Sequence, residues 1–389
     1  MGFWKAVLCA LAVSAASIDS SLAGQPDDPY EAFGDGLAQL AEQQAARGLF
    51  SGAVCVSREG QVVSSAAFGE ASKRFGIPNT GDTRFNLGSW NKFMTAIAVC
   101  QLVEQDKLGF DQRVGEILPS YPSAEVRDRV TVHHLLTHTG GTGDHFTPEF
   151  LESSRLQYRS FRDYVHLIAD NGVAFEPGSR FEYSNAGYFI LGLIIEEVSG
   201  QTYYDYVREH ITQPAGALDT EFYDADMPVP GVAEGYIPAE HYDSEHELAD
   251  LPRLVDEEAG AVRWRSNVHM MPVKGGPAGG GYSTVADLTL IAEAFMSDEL
   301  VSSKTRELMT TRHIVMPDLP GMHYGYGTMI INTPSGRTLF GHTGDFPGVQ
   351  CVFAIAPDSE SDGYTSITIL SNYAGSANPL LMHSIEHLP

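Results

Sequence analysis

A serine and a lysine stand three residues apart in the segment GSWNK, as Ser89 and Lys92. The residues that follow predict a helix from Ser89 to about Gly109, so the two side chains share one helix face. A serine hydroxyl becomes a nucleophile when a neighbouring base takes its proton, and an amine one turn away can do so. The pattern favours acyl transfer on Ser89. A capped helix whose lysine reaches to solvent is the structural alternative.

A tyrosine and an asparagine flank one residue in the segment FEYSNAGY, as Tyr183 and Asn185. The segment comes directly before an apolar stretch that predicts a helix. No other tyrosine of the chain has an asparagine two residues after it. Capping of the helix by Ser184 or Asn185 explains the same residues without chemistry.

The triplet His-Thr-Gly occurs twice, at 138–140 and at 342–344. The first copy follows the segment VTVHHLL, so we expect it to lie at the end of a short helix. The second copy, His342-Thr343-Gly344, follows the predicted strand RTLF, and the backbone of a strand edge can pair with a substrate. We therefore expect the second triplet to line an active site.

Two other segments have alternative explanations. His134 and His138 are spaced four apart, with Asp144 and His145 close behind, which could hold zinc. The segment lacks the glutamate of the zincin motif, so we expect no metal site. The run GGPAGGGYST lacks the Gly-Lys-Ser/Thr of a phosphate loop, and we expect it to flank the site, with the next helix capped at Thr284.

Strands are predicted at both ends of the chain and helices between them. Residues 30–50 have the spacing of an amphipathic helix, and 51–69 alternate as a hairpin around Glu59-Gly60. Four strand segments separated by turns occupy most of 324–373, and a short helix follows. We expect an α+β fold in which both ends share one antiparallel sheet, with a sheet lobe from 30–85 plus 290–389 and an inserted, mainly helical lobe from 86–289.

Composition restricts the partners and the compartment. The net charge of −26 argues against nucleic acid, because phosphate binding needs a basic face. Residues 1–23 have the charged, apolar and small-residue regions of a signal peptide, so we expect a periplasmic or secreted protein, and no later segment is apolar enough to span a membrane. Cys55 and Cys351 could pair, although buried free thiols are favoured. The oligomeric state is not predictable.

Ser89-x-x-Lys92, Tyr183-x-Asn185 and His342-Thr343-Gly344, about 95 and then about 160 residues apart, resemble the serine β-lactamase and penicillin-recognising family. The resembling branch holds class C β-lactamases, DD-peptidases and β-lactamase-like esterases. The segments VTVHHLLTHTGG, PGSRFEYSNAGYFILGLIIEEVSG and GGGYSTVADL extend the resemblance over about 40–385. It implies a β-lactamase/transpeptidase-like fold.

The resemblance also implies the chemistry, with neither metal nor organic cofactor. Ser89 is then the nucleophile and Lys92 its partner, while Tyr183 takes the serine proton and returns it to the leaving group. Whether Lys92 or Tyr183 is the base of acylation stays open.

The remaining implied roles concern substrate binding. Asn185 orients the acyl side chain, and the strand with His342, Thr343 and Gly344 lines the opposite wall. The backbone N–H groups of Ser89 and Asp345 form the oxyanion hole.

The chain departs from the β-lactamase pattern in its third motif, which begins with His342 instead of lysine. Lysine offers a permanent cation to a substrate carboxylate, whereas histidine is mostly neutral at pH 7. Asp345 adds a negative charge after the triplet. We therefore expect a hydrolase that prefers carboxylic esters, then D-amino-acid or DD-carboxypeptidase-type peptides, then β-lactams. A non-catalytic penicillin-binding protein is the alternative of another class.

Overall fold

The structure of the protein is a computed structural model that describes residues 28–239, 262–358 and 361–389. The predicted signal peptide at 1–23 lies outside the described residues. Within the described ranges, no helix is both long enough and apolar enough to cross a membrane.

Strands from both ends of the chain make one antiparallel sheet. The strands are β1 Gly52–Arg58, β2 Gln61–Phe68, β3 Glu70–Ser72, β4 Ile77–Pro78, β5 Phe85–Asn86, β6 Tyr236–Pro238, β7 Trp264–Ser266, β8 Tyr282–Ser283, β9 Ile314–Val315, β10 His323–Tyr324, β11 Met329–Asn332, β12 Thr338–Phe346, β13 Val349–Pro357 and β14 Tyr364–Ser371. The eight-stranded sheet has the order β2-β1-β14-β13-β12-β11-β10-β9. The pairs β3-β4, β5-β8 and β6-β7 lie outside it.

The N-terminal hairpin joins the C-terminal strands, as the sequence predicted. Strand β1 pairs with β14 from Gly52 opposite Ser371 to Arg58 opposite Thr365. The hairpin turn lies at Glu59 and Gly60, whose φ angles of 50° and 75° are both left-handed. The α+β fold class is thereby confirmed, while the exact bounds of the two lobes stay a prediction.

Most of the helices lie in the middle of the chain, and helices cover both faces of the sheet. They are α1 Pro29–Ala46, α2 Asn91–Glu104, α3 Val114–Ile117, α4 Ala124–Arg129, α5 Val132–Leu136, α6 Pro148–Glu152, α7 Val165–Ile168, α8 Asn185–Ser199, α9 Tyr203–Val207, α10 Val285–Met296, α11 Ser303–Met309 and α12 Asn378–His387. Short 3-10 turns lie at Gly88–Trp90, Arg155–Gln157 and Phe161–Tyr164, and a π-turn lies at Arg208–Thr212.

Helix α2 begins later and ends earlier than the sequence predicted. Ser89 belongs to the 3-10 turn before α2. The helix stops at Glu104 because Asp106 adopts a left-handed φ of 55°. The Lys107 N–H then turns back to donate to the Leu102 carbonyl, 3.0 Å away, which satisfies a carbonyl of the last turn.

Two apolar cores lie on opposite faces of the sheet. Nearly every residue of α2 is buried in the larger core, which also holds α8 and α10. Helices α1 and α12 pack on the other face, where the side chains of Phe33, Leu37 and Ala41 form the buried stripe of α1. Cys55, Cys100 and Cys351 are buried free thiols, so Cys55 and Cys351 do not pair.

Candidate active site

The segment around Ser89 is held between strand β5 and the glycine run at 275–281. Gly88 has a left-handed φ of 50°, and its N–H donates to the Asn86 side chain at 2.9 Å. The Gly280 N–H donates to the Gly88 carbonyl at 3.1 Å, and the Gly281 N–H donates to the Asn91 side chain at 2.7 Å. The glycine run therefore flanks the site as predicted, and Thr284 caps α10.

The Lys92 amine is completely buried against Ser89. Its Nζ atom lies 3.1 Å from Ser89 Oγ, 2.7 Å from Asn185 Oδ1 and 2.6 Å from the Ala278 carbonyl oxygen. Burial lowers the pKa of Lys92 to about 7, although the charge of Asp144 opposes that shift. The amine is therefore about half neutral near pH 7, and the solvent-reaching lysine of the structural alternative is excluded.

The Tyr183 phenol is hydrogen-bonded to the Ser89 side chain. Burial raises the pKa of Tyr183 well above its usual value, and the hydrogen bond with Ser89 only partly offsets that rise. The Lys92 Nζ atom lies 4.8 Å from the centre of the Tyr183 ring. Tyr183 is therefore a neutral phenol beside both the hydroxyl and the amine.

The Asn185 amide, at the start of α8, bridges the side chains of Lys92 and Asp144. Its Oδ1 accepts from Lys92 Nζ, and its Nδ2 donates to Asp144 Oδ2 at 2.8 Å. Ser184 caps the same helix by accepting from the Gly187 N–H at 3.0 Å. The capping alternative thus holds for Ser184, whereas the Asn185 side chain points to Lys92.

His342 is buried and turned into the protein. A carbonyl oxygen can only accept, so Nδ1, which lies 2.5 Å from the Thr343 carbonyl, carries the proton. The Tyr324 hydroxyl, 2.9 Å from Nε2, must then donate to His342. Burial and the nearby Lys92 lower the pKa of His342 to about 3. The imidazole is therefore neutral and fully bonded.

Gly344 brings strand β12 against the Ser89 segment. A Cβ atom on Gly344 would lie 1.8 Å from the Leu87 carbonyl oxygen and 2.9 Å from the Ser89 backbone nitrogen. A Cβ atom on Gly88 would lie 2.9 Å from the Asp345 backbone nitrogen. These approaches bring the backbone nitrogens of Ser89 and Asp345 to the same small region of the cleft.

The Asp345 carboxyl lies on the other face of β12. Phe340 packs in the core with α2 and Leu339 in the core with α1, so alternation along the strand places Asp345 with Leu339. Desolvation by the surrounding protein raises the pKa of Asp345 to about 6, and a hydrogen bond with Gln350 opposes that rise.

His138, from the first His-Thr-Gly triplet, also lies beside the site. Helix α5 ends at Leu136, and His138 adopts a left-handed φ of 57°. Its ring centre lies 4.2 Å from that of Tyr183, and its Nδ1 accepts from the Ser184 N–H at 3.0 Å. The strand of the second triplet lies against the Ser89 segment, and the first triplet places His138 beside Tyr183. The sequence context did not indicate this position of His138.

The segment considered for zinc has other contacts. The helical spacing of His134 and His138 is lost where α5 ends, and Asp144 contacts His145 Nδ1 at 2.9 Å. In the described part of the chain, no group of three His, Cys, Asp or Glu side chains is placed to hold a metal ion.

Two phenylalanines lie near each other, one in the segment that follows Asp144 and one at the end of β12. Phe146 is exposed and follows Asp144 by two residues, and Phe346 follows Asp345 on β12. Their ring centres are 6.5 Å apart with the planes 26° from parallel. Neither residue was singled out from the sequence, because their proximity depends on how two distant segments pack.

A model of the beta-lactamase family matches residues 37–384 of this chain. The chain belongs to the beta-lactamase family. It is 28% identical over 317 residues to penicillin-binding protein 4* of Bacillus subtilis, covering 80% of this chain and 66% of that protein. It is 27% identical over 224 residues to a teichoic acid D-alanine hydrolase of Staphylococcus aureus, covering 58% of this chain and 52% of that protein. The chain thus spans less than two thirds of the length of both relatives.

A solved structure extends the similarity to the fold. The penicillin-binding protein of Bacillus halodurans is 30% identical, with a TM-score of 0.72, and the match covers 87% of this chain and 98% of that one. The predicted resemblance to the serine β-lactamase-like hydrolases is thereby confirmed at the level of family and fold.

Three contributors to this beta-lactamase-family site were missed in the sequence. They are the Ala278 carbonyl, the Tyr324 hydroxyl and the Asp144 carboxylate. Asp144 had been considered only as a metal ligand. The glycine run around Ala278 was a usable signal, since glycines allow backbone to approach a site closely.

Proposed function

We propose that the protein is a serine hydrolase that cleaves carboxylic esters through an acyl-enzyme on Ser89. The observation that carries this proposal is the buried Lys92 amine, 3.1 Å from Ser89 Oγ and with its pKa lowered to about 7. An amine that is partly neutral at pH 7 can take a hydroxyl proton, and one at its ordinary pKa cannot do so efficiently.

In the proposed acylation, Lys92 is the base. The Ser89 oxygen bonds to the substrate carbonyl carbon as its proton passes to Lys92 Nζ. The backbone N–H groups of Ser89 and Asp345 donate to the oxyanion, and one such donor is worth about 10²–10³ in rate. Tyr183, kept protonated by its raised pKa, donates its proton to the leaving alkoxide as the ester C–O bond breaks, and regains one from Lys92.

Water completes the reaction by the reverse route. Lys92, neutral again, takes a proton from the attacking water, directly or through Tyr183, as the water oxygen bonds to the acyl carbon. The bond between the acyl carbon and the Ser89 oxygen then breaks, the carboxylic acid leaves, and the Ser89 oxygen recovers the proton from Lys92. Ser89, Lys92 and Tyr183 therefore end the cycle in their starting states, and no cofactor takes part.

The third motif supports an ester preference over β-lactams. His342 is neutral, buried and bonded to Tyr324 and Thr343, so it supplies no cation for a substrate carboxylate. Phe146 and Phe346 lie two residues beyond Asp144 and Gly344 and form an apolar surface, which suits an uncharged acyl group.

A D-configured peptide or D-alanyl ester is the second candidate. Strand β11 pairs with β12 only from Thr338 to Gly341, which leaves the 342–346 edge for an extended substrate. The names of the relatives, a penicillin-binding protein and a teichoic acid D-alanine hydrolase, favour the same chemistry. In this candidate reaction, the backbone groups of Thr343 and Gly344 pair with the substrate, and Asn185 contacts the acyl side chain.

We also propose that residues 1–23 are a cleaved signal peptide that exports the protein to the periplasm or the medium. The support is the pattern of charge, apolar run and small residues in the sequence. The mass of the mature protein from fractionated cells tests this proposal, which fails if the full-length chain stays in the cytoplasm.

The substrate test compares three substrates on one preparation. p-Nitrophenyl acetate, acetylated D-alanyl-D-alanine peptide and benzylpenicillin are each offered to wild type and to Ser89→Ala. We expect kcat/KM for the ester to exceed that for the peptide at least about 100-fold, with no turnover by the variant. Release of D-alanine from the peptide, without hydrolysis of p-nitrophenyl acetate, overturns the ester assignment in favour of the peptidase. A lasting penicillin adduct without any turnover favours the non-catalytic alternative.

A further inference from the structure

We propose that Asp144 is a positioning residue for the Ser89–Lys92 pair, acting through the amide of Asn185. This proposal rests on the proposed serine hydrolase chemistry. It assigns a function to a carboxylate that lies 41 residues from Asn185 in sequence and does not touch the nucleophile.

A continuous series of hydrogen bonds joins the carboxylate to the nucleophile. Asp144 Oδ2 accepts from Asn185 Nδ2 at 2.8 Å, and Asn185 Oδ1 accepts from Lys92 Nζ at 2.7 Å. A carboxylate can only accept, so it selects the orientation of the amide in which the oxygen faces Lys92.

The carboxylate itself is held by its own loop. Its other oxygen accepts from the backbone N–H groups of His145 at 2.7 Å and Phe146 at 3.3 Å. The Ser184 hydroxyl donates to the Gly143 carbonyl at 2.5 Å and so ties this loop to the start of α8. Asp144 is therefore a fixed reference point for Asn185.

The orientation of Asn185 decides where the lone pair of Lys92 points. A neutral amine has two N–H donors and one lone pair. The Asn185 and Ala278 carbonyl oxygens take the two donors, at 2.7 and 2.6 Å, which leaves the lone pair for the Ser89 hydroxyl. If the amide turned over, its N–H would attract the lone pair away from Ser89.

The charge of Asp144 adds a second effect. It raises the pKa of Lys92 against the lowering by burial. Burial acts to raise the pKa of Asp144 itself, but contacts with His145 and Asn185 outweigh burial and hold that pKa below its usual range. The carboxylate therefore stays charged. The other titratable groups around the pair are Tyr183 and Tyr188, whose rings lie beside Lys92, and the imidazoles of His138, His342 and His145.

A double-mutant cycle on ester hydrolysis tests the proposal. We expect Asp144→Asn to lower kcat about tenfold and to move the acidic midpoint of kcat/KM down by about one pH unit, because the neutral form of Lys92 persists to lower pH. In an Asn185→Leu background the same change should alter kcat less than about twofold, since the connection is already lost. Asp128→Asn, which removes an exposed charge of α4, controls for net charge.

The outcomes separate the two proposals. Additive losses in the cycle, or an unshifted midpoint in a folded Asp144→Asn protein, overturn the positioning role. If Asp144→Asn does not fold, Asp144→Glu replaces it: a midpoint within about 0.3 unit of wild type supports the role of the charge, and a shift as large as one unit contradicts it. If the wild-type protein does not hydrolyse the ester, that result counts against the serine hydrolase proposal and leaves the positioning role to be judged separately.

Discussion

The Nζ atom of Lys92 lies 3.1 Å from the Oγ atom of Ser89, and no solvent reaches the amine. Two carbonyl oxygens, of Asn185 and Ala278, hold it in place. A buried lysine without a directly bonded carboxylate is costly to keep charged, which is why its pKa falls to about 7. The cost of burying this amine therefore leaves it partly neutral near pH 7, which is the form that the proposed base requires.

The activity should rise with pH through about 7. In the proposed mechanism Lys92 acts in its neutral form, which predominates above its pKa of about 7, so kcat/KM for a neutral ester should be low below pH 6 and level above pH 8. His342, with a pKa of about 3, adds no change in that range. The pH profile of p-nitrophenyl acetate hydrolysis measures this.

Asp345 is another group whose titration could change the activity near neutral pH, because desolvation raises its pKa to about 6. Its replacement therefore serves as the control. Asp345→Asn should keep the midpoint of the kcat/KM profile near pH 7. Lys92→Met should leave a residual rate that does not rise with pH through 7. A midpoint near 10, or one that disappears with Asp345, would rule out Lys92 as the base.

Loss of the Tyr183 hydroxyl should slow esters according to their leaving group. Tyr183→Phe keeps the ring contact with His138 but removes the proton donor. We expect kcat for a methyl ester to fall about 10²–10⁴-fold, and that for a p-nitrophenyl ester much less, because p-nitrophenolate leaves without a proton. Steady-state rates on the two esters decide this. Less than a tenfold loss on the methyl ester would exclude Tyr183 as the donor.

A methyl group on Gly344 should disrupt the oxyanion region. The added Cβ would lie 1.8 Å from the Leu87 carbonyl oxygen, so β12 and the Ser89 segment must separate. We expect Gly344→Ala to lower kcat at least about 100-fold. Gly81→Ala, where nothing lies within 4 Å of the added Cβ, is the matched control. Equal rates for both variants, measured at equal folded fraction by circular dichroism, would refute the backbone assignment.

Phe146 should favour bulky apolar acyl groups. Removal of the ring that faces Phe346 takes apolar contact from a large acyl group and little from acetyl. For Phe146→Ala we expect the KM of a p-nitrophenyl phenylacetate to rise about tenfold and that of the acetate less than threefold. Phe75→Ala, at an exposed ring before β4, serves as control. An equal change in KM for both esters would show that the acyl group does not bind against Phe146.

The sequence predicted what depends on short spacing or on strand patterns. Ser89 and Lys92 are neighbours because one helical turn joins them, and the pairing of β1 with β14 follows from strands at both ends of one chain. The 3-10 turn at Ser89 was not predicted, since it is imposed by β5 and the glycine run that pack on it.

Contacts between distant segments were beyond sequence reasoning. His342 was expected to face the substrate, but Tyr324 on β10 turns its imidazole inward. Asp144 reaches Asn185 only because two loops meet at the start of α8. Such juxtapositions are set by tertiary packing, and no local propensity encodes them.

Covalent trapping of the acyl-enzyme tests the central claim most directly. Wild type and Ser89→Ala are mixed with p-nitrophenyl acetate, quenched in acid within one turnover and weighed intact, then digested to locate the adduct. The account predicts that wild type gains one acetyl group on the peptide containing Ser89 and that the variant gains none. An adduct on any other residue, or undiminished hydrolysis by Ser89→Ala, would contradict it.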